Sequence, residues 1–455
     1  MPAASPTAVL MAPIAHARYS GRVFLCSDWA RWRRLMALVV LMGVALMSNS
    51  PAYSAAQSSP KGTGIETGAE VLARSGFAML SGKRVGLITN QTGKVGDRHL
   101  VDLMAEAENV RLTAIFAPEH GFRGDVEAGK KVSGRVDEKT GVRVFSLYGD
   151  TRKPTQSMLR NIDVLVFDIQ DIGVRFYTYI STMGLAMQAA AERGIPFVVL
   201  DRPNPLGGTY VSGFVLNPRY TSFVGQYPLP IVHGLTVGEL ALMIKGEAWL
   251  SDLLSLDLIV VKIEGWDRSL RWQDLGRDWV ATSPNIPSFE SALLYPGIGI
   301  VGETAVNEGR GTDGPFTRFG APWLDADQLA QHLSALQLPG VRFEATVYKP
   351  RSIPGVAANP RHLKERVRAV RVFITDPDVV EPLEIGMHAL AFLVPEAQKA
   401  GVRKFFPNRR MFHLISGDRR LLRQLRAGWS GSRIIASWQE ELARFKEKRR
   451  RYLIY

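Results

Sequence analysis

Glu119, His120 and Arg123 sit together in the run Phe116-Ala-Pro-Glu-His-Gly-Phe-Arg-Gly124. An acid, an imidazole and a guanidinium so close in sequence can share proton transfer and the holding of an anion. Gly121 and Gly124 allow the backbone to bend sharply at this point. Taken alone, such a stretch also fits a solvated turn between strand and helix. The pattern recurs, however. Phe167-Asp-Ile-Gln-Asp-Ile-Gly173 offers Asp168, Gln170 and Asp171, with Arg175, Tyr177 and Tyr179 close behind. Leu200-Asp-Arg-Pro-Asn-Pro205 offers Asp201, Arg202 and Asn204, and Thr89-Asn-Gln-Thr92 offers Asn90. A Gly-rich run from Val301 to Phe316 adds Glu303, Asn307, Glu308, Arg310 and Asp313 and could fold over the same place. Asp and Asn also cap helices and shape turns, so one or two of these residues are expected to do only that.

The elements ahead of these residues explain why they should meet. Arg84–Thr89, Val110–Phe116, Val164–Ile169 and Phe197–Leu200 are short, largely apolar runs of the kind found in buried parallel strands. Pro118 ends the second of them, because proline has no N–H for a ladder. Helical patterns lie around and between them, over Glu66–Leu80, Arg98–Ala107 and Thr182–Arg193, the last stopped by Gly194 and Pro196. This alternation predicts an α/β fold, a Rossmann-like and mostly parallel sheet with helices on both faces. Ligands of such sheets lie beyond the carboxyl ends of the strands, where the polar residues cluster. A helix over Thr236–Leu250 and a strand over Leu256–Ile263 continue the pattern, after a Gly-, Pro- and aromatic-rich loop from Tyr210 to Pro230. Ser283-Pro-Asn-Ile-Pro287 is too rich in proline for either element and marks a junction. A helix near Asp325–Leu336, strands near Val341–Tyr348 and Val367–Thr375, and further helices predict a smaller α+β domain. The expected division is 64–285 and 286–455.

Several chemistries lack their signatures. No G-x-G-x-x-G or P-loop is present, so neither a nucleotide nor another cofactor is expected. No H-E-x-x-H supports a metal site, and no G-x-S-x-G supports a serine hydrolase. Arg31-Trp-Arg-Arg34, the apolar Leu35–Met47 and the small residues that follow have the layout of an export signal cleaved near Ser54–Ala56. Residues 1–56 are therefore expected to be a leader and 57–63 a linker, with the mature protein periplasmic or extracellular. Contact with the membrane is expected only through that signal. Cys26, the only cysteine, lies in the leader, which leaves the mature chain without a disulfide or a thiol nucleophile. The formal net charge is +13, of which +9 remains after Ala56. No zinc-finger or RNP-like pattern points that charge at nucleic acid, whereas an anionic wall polymer is compatible with it.

Six ordered blocks together resemble the exo-β-N-acetylmuramidase (NamZ-like) family. They are Pro118-Glu-His-Gly121, Phe167–Gly173, Asp201-Arg-Pro-Asn-Pro-Leu-Gly-Gly208, Ser283–Pro287, Glu308-Gly-Arg-Gly-Thr312 and Gly320-Ala-Pro-Trp323. The resemblance runs from about Gly64 to Tyr455. It implies an exported hydrolase that releases terminal N-acetylmuramic acid from peptidoglycan fragments, with an active-site cleft between the Rossmann-like domain and the smaller one, and it places the catalytic glutamate at Glu119. Glycosidic cleavage needs a proton donor and usually a second group at the oxocarbenium-like centre. Glu119 fits the donor. Asp168, Asp171, Glu308 or the substrate's own acetamido oxygen fits the second role. Arg123, Arg175, Arg202 and Arg310 are candidates for a lactyl carboxylate. Asn90, His120, Gln170, Asp171, Tyr177, Asp201, Asn204, Asn285 and Glu303 complete the expected binding set. A metal-dependent hydrolase and a wall-binding module without catalysis remain rival readings, the latter suiting Tyr177, Tyr179 and Trp323.

Overall fold

The computed structural model describes residues 64–123 and 135–455. The expected leader and linker lie outside the described residues. Nine strands come first: β1 (Arg84–Thr89), β2 (Lys94–Val95), β3 (Arg98–His99), β4 (Arg111–Ala117), β5 (Arg135–Val136), β6 (Arg143–Ser146), β7 (Val164–Asp168), β8 (Phe197–Leu200) and β9 (Leu258–Val261). β2 and β3 form a small hairpin, and the other seven make one sheet in the order β5-β6-β4-β1-β7-β8-β9. Every pairing in that sheet is parallel except β5 with β6. Apart from β5, the strands run 3-2-1-4-5-6 in chain order, the doubly wound Rossmann arrangement. The order reverses between β1 and β7, so a crevice opens beyond their carboxyl ends.

The local sequence accounts for the helices on this sheet. Thr67 and Glu70 cap each other's backbone and start the helix Gly68–Arg74. The helix is shorter than the expected Glu66–Leu80, because Gly76 turns into the left-handed region at φ 63° and a 3₁₀ turn follows at Ala78–Leu80. Thr236 and Glu239 form the same reciprocal cap for Val237–Gly246. The helix Tyr179–Arg193 starts directly behind the β7 rim and ends on left-handed Gly194.

The second sheet is antiparallel, with β10 (Arg318–Ala321), β11 (Val341–Tyr348) and β12 (Val367–Ile374) in the order β10-β12-β11. Between the sheets lies the helix Phe289–Val301, which sequence patterning did not reveal. It packs on Pro382–Lys399 so closely that a Cβ on Gly297 would stand 2.0 Å from the Pro382 carbonyl. Gly386 faces Gly297 in return, and together they permit the crossing. One apolar core runs from Phe167 and Tyr179 through Ile286 and Leu294 to Phe319, Leu390 and Trp438. Both sheets therefore hold the walls of the crevice through a shared core.

Candidate active site

β4 carries the chain to Ala117, and Pro118 releases it from the ladder. His120 then adopts φ 71° and Gly121 φ 80°, with the Gly121 N–H donating to the Pro118 carbonyl at 3.0 Å. A left-handed histidine is a strained residue of the kind concentrated at functional sites. The turn brings Glu119 back over the sheet, where only 8% of the residue stays exposed. Thr178 Oγ1 donates to Glu119 Oε2 at 2.5 Å. The Tyr148 hydroxyl also faces this carboxylate. Burial, followed by the charge and hydrogen bond of Glu119, pushes the Tyr148 phenol up to about 12, so it stays protonated as a donor. Neither Thr178 nor Tyr148 stood out in the sequence, since a threonine ahead of a helix reads as a cap and Tyr148 lies in an irregular loop.

Glu119 and His120 line a cavity of about 190 Å³ together with Tyr177, Asn285, Glu303 and Arg310. An adjoining cavity of about 250 Å³ shares Asn285, Tyr295, Glu303, Arg310 and Phe316 with it, and adds Glu308 and Arg361. The helix Phe289–Val301 delivers Tyr295 and, just past its end, Glu303. The Tyr295 ring meets Phe316 edge-on at 4.8 Å and Tyr177 at 5.9 Å. Phe316 itself is held at φ 63°, a second strained residue in the wall. Burial first, then the charge of Glu308, raises the Glu303 carboxyl above its ordinary value, while Arg310 and Arg361 oppose the shift. Arg310 Nε lies 3.1 Å from Glu308 Oε1 but without hydrogen-bond geometry, and it has no hydrogen-bond partner. One amide there is also incompletely used. Asn285 Nδ2 donates to the Val356 carbonyl at 2.7 Å, while its Oδ1 is buried and unpartnered. Asn90 lines neither cavity, and its Oδ1 accepts from the Thr92 N–H and hydroxyl while its amide nitrogen is buried near the Tyr179 hydroxyl. Carboxyls, a guanidinium and the spare Asn285 oxygen in one crevice suit a sugar bearing an acid and an acetamide.

Other residues expected at the site are committed to the scaffold instead. Asp168 is wholly buried and forms a two-point ion pair with Arg202, at 2.6 Å to Nε and 3.0 Å to Nη2. It lines neither cavity, because the end of central strand β7 turns its carboxylate toward Arg202. Asp201 accepts from the Thr236 hydroxyl, the Gly238 N–H and the Tyr455 hydroxyl, all at 2.7 Å, and so ties the chain terminus to β8. Asn204 and Gln170 bind backbone carbonyls at Leu235, Asp171 and Pro203. Asp171 Oδ2 takes the Gly173 N–H at 2.7 Å, and burial pushes the carboxyl up to about 7. It too lies outside the lining of both cavities.

The guanidiniums divide in the same way. Arg175 is fully buried and donates to the carbonyls of Phe214, Leu229 and Ile415, which fastens the long loop and a C-terminal helix to the sheet. Burial lowers it to about 9. Arg123 pairs with Asp137 at 2.8 Å and covers the Phe122 ring. Of the four candidates for an anion, Arg310 is the one in the cavity walls. Tyr177 lines the cavity with its hydroxyl donating to Thr282 Oγ1 at 2.8 Å, whereas Trp323 packs on Phe405. Among the described residues, no three His, Cys, Asp or Glu side chains gather as a metal set.

Known proteins extend this picture over nearly the whole chain. Residues 85–290 match the N-terminal family model of the exo-β-N-acetylmuramidase NamZ, and residues 293–455 match its C-terminal model. Peptidoglycan β-N-acetylmuramidase NamZ of Bacillus subtilis is 41% identical over 423 residues, spanning 91% of this chain and 98% of the relative. Two crystal structures of DUF1343-family proteins from Bacteroides fragilis share the fold. One has a TM-score of 0.78 at 41% identity and the other 0.69 at 35%, each covering 86% of this chain and 99% of its counterpart. With both family models matched in order, the chain belongs to the NamZ family of exo-β-N-acetylmuramidases.

Proposed function

We infer that this protein is an exo-acting glycoside hydrolase that releases terminal β-linked N-acetylmuramic acid from the non-reducing ends of peptidoglycan fragments in cell-wall turnover. The observation that carries this reading is the meeting of Glu119, Glu303 and Arg310 in one crevice, in a chain of this family. Glu119 acts as the proton donor to the leaving oxygen. Its Oε2 is fixed by Thr178, so the carboxyl is oriented before substrate arrives. The opposite face of the sugar is served by the Glu303–Glu308 pair or by the substrate's own acetamido oxygen, the two arrangements open to such enzymes. Arg310, which reaches Glu308 at 3.1 Å in the same crevice, takes the lactyl carboxylate that distinguishes muramic acid from glucosamine.

The test is incubation with a chromogenic β-N-acetylmuraminide and the matching β-N-acetylglucosaminide, each with and without EDTA. Release from the muraminide alone, unaffected by EDTA, is the expected result. Arg310→Ala should raise KM for the muraminide by about 10-fold or more, the loss of one charge-assisted contact. Equal turnover of both sugars, or internal cleavage of intact glycan strands, overturns the specificity. Export belongs to the same proposal, on the strength of residues 31–56. The mature protein should start near Ser54–Ala56, and an N-terminal sequence of cytoplasmic protein retaining residues 31–56 would refute it.

A further inference from the structure

A further cavity lies outside the active-site crevice. It is an open groove of about 750 Å³ at the C-terminal end of the helix Arg409–Ser416, whose Met411 and Ile415 face the active site. Five cations line the groove against two acids. Both acids are occupied. Asp418 and Glu441 hold Arg420 between them at 3.2 and 2.9 Å. Asp418 also accepts from Asn217, and Glu441 from the Val215 N–H. Lys448 is paired with Glu247 at 2.8 Å, and Arg444 with Glu440 one turn back on its own helix.

Arg419 and Arg423 differ from the others. Both are exposed, and among the described residues neither has a carboxylate within ion-pair distance. They stand one helical turn apart, the Arg423 N–H donating to the Arg419 carbonyl at 3.2 Å, so their side chains rise from the same face. The same groove is lined by half-buried Trp249, its ring stacked on Tyr227 at 5.6 Å and 20°. Two unneutralised guanidiniums and a stacked indole lining one groove form a surface for an anionic chain with apolar stretches between its charges.

We propose that this groove is a second, non-catalytic binding site that holds the carboxylates of peptidoglycan peptide stems. The proposal rests on the muramidase reading, which supplies the polymer. Stem carboxylates then meet Arg419 and Arg423 as bidentate pairs, and the stem's aliphatic parts lie on Trp249. Charge complementarity selects the occupant, because a net cationic groove with its own acids already paired attracts carboxylates and repels cationic chains. Such a site would keep an exo-acting enzyme on the wall between successive cuts without touching its chemistry.

The experiment is co-sedimentation of the full chain with insoluble peptidoglycan stripped of phosphate polymers, at rising salt, beside turnover of the soluble muraminide. Arg419→Ala/Arg423→Ala should weaken sedimentation by about 3- to 10-fold, the sum of two exposed charge pairs, and flatten its salt dependence. Arg419→Glu/Arg423→Glu should weaken it further, and both variants should turn over the muraminide as the parent does. Amidating the peptidoglycan carboxylates should remove the difference between parent and variant. Unchanged sedimentation of both variants, or equal binding of amidated peptidoglycan, overturns the proposal. Binding only to walls that retain phosphate polymers overturns the carboxylate assignment. Failure of muraminide turnover by the parent with intact salt-sensitive sedimentation would count against the muramidase reading, not against the groove.

Discussion

Glu119→Gln is expected to lower turnover by about 10²–10⁴-fold while folding and substrate binding persist. Glutamine keeps the size of the side chain and an oxygen for Thr178, but it carries no proton to deliver. The size of the loss should depend on the leaving group. A nitrophenyl muraminide, whose phenolate departs with little protonation, should suffer less than a natural disaccharide. That contrast matters because the crevice holds a second candidate donor. Glu303 is raised above its ordinary value by burial and by Glu308, the direction a proton donor needs. If Glu303 were the donor, Glu119→Gln would hurt both substrates alike and the leaving-group contrast would appear in Glu303→Gln. A similar loss on both substrates would therefore move Glu119 out of the donor role. A silent Glu119→Gln would remove it from the mechanism altogether.

The sheet was legible because its central strands are buried on both faces. Val164–Asp168 and Phe197–Leu200 are buried throughout, and such strands read as continuous apolar runs. β5 and β6 were not legible. They are two and four residues long, with exposed Arg135, Val136 and Arg143 at the sheet's edge, too short to show a period. The helix Phe289–Val301 was hidden for the opposite reason, since it is apolar nearly all round, contains Pro296 and follows a proline-rich junction. At the site, residue type located the rim but not the direction in which each side chain turns. Arg175 and Arg310 look alike as candidates for an anion. Only the long-range packing of the Phe214 and Leu229 segments, with the helix that ends beside Ile415, shows that Arg175 is filled with carbonyls. Glu303 emerged as a neighbour of Glu119 because a helix absent from the sequence pattern brings it there.

The same division between rim and scaffold makes the Asp168–Arg202 pair the other place where one substitution should have a large effect. The two side chains are 0% and 7% exposed, and removing one partner leaves the other charge buried without its counter-ion. Arg202→Met should cost about 3–5 kcal/mol. At about 2.1 cal/mol/K of unfolding entropy per residue, that corresponds to a fall in Tm of roughly 4–6 °C. Asp168→Leu combined with Arg202→Met should recover most of the loss, because an apolar pair of similar volume has no stranded charge. The remaining deficit is the Lys94 carbonyl, which loses the Arg202 donor at 3.1 Å and costs about 1 kcal/mol. A catalytic Asp168 predicts something different: Asp168→Asn would then cut turnover steeply with little change in Tm. The geometry leads to the reverse expectation, a lower Tm and a kcat per folded molecule within about 10-fold of the parent, well short of losing a group that acts on the substrate. Thermal unfolding and turnover measured on the same preparations of the two single variants and the double variant separate the outcomes. Unchanged melting of Arg202→Met would show that the pair does not hold the strand ends, and a kcat collapse in Asp168→Asn at normal Tm would return Asp168 to the chemistry.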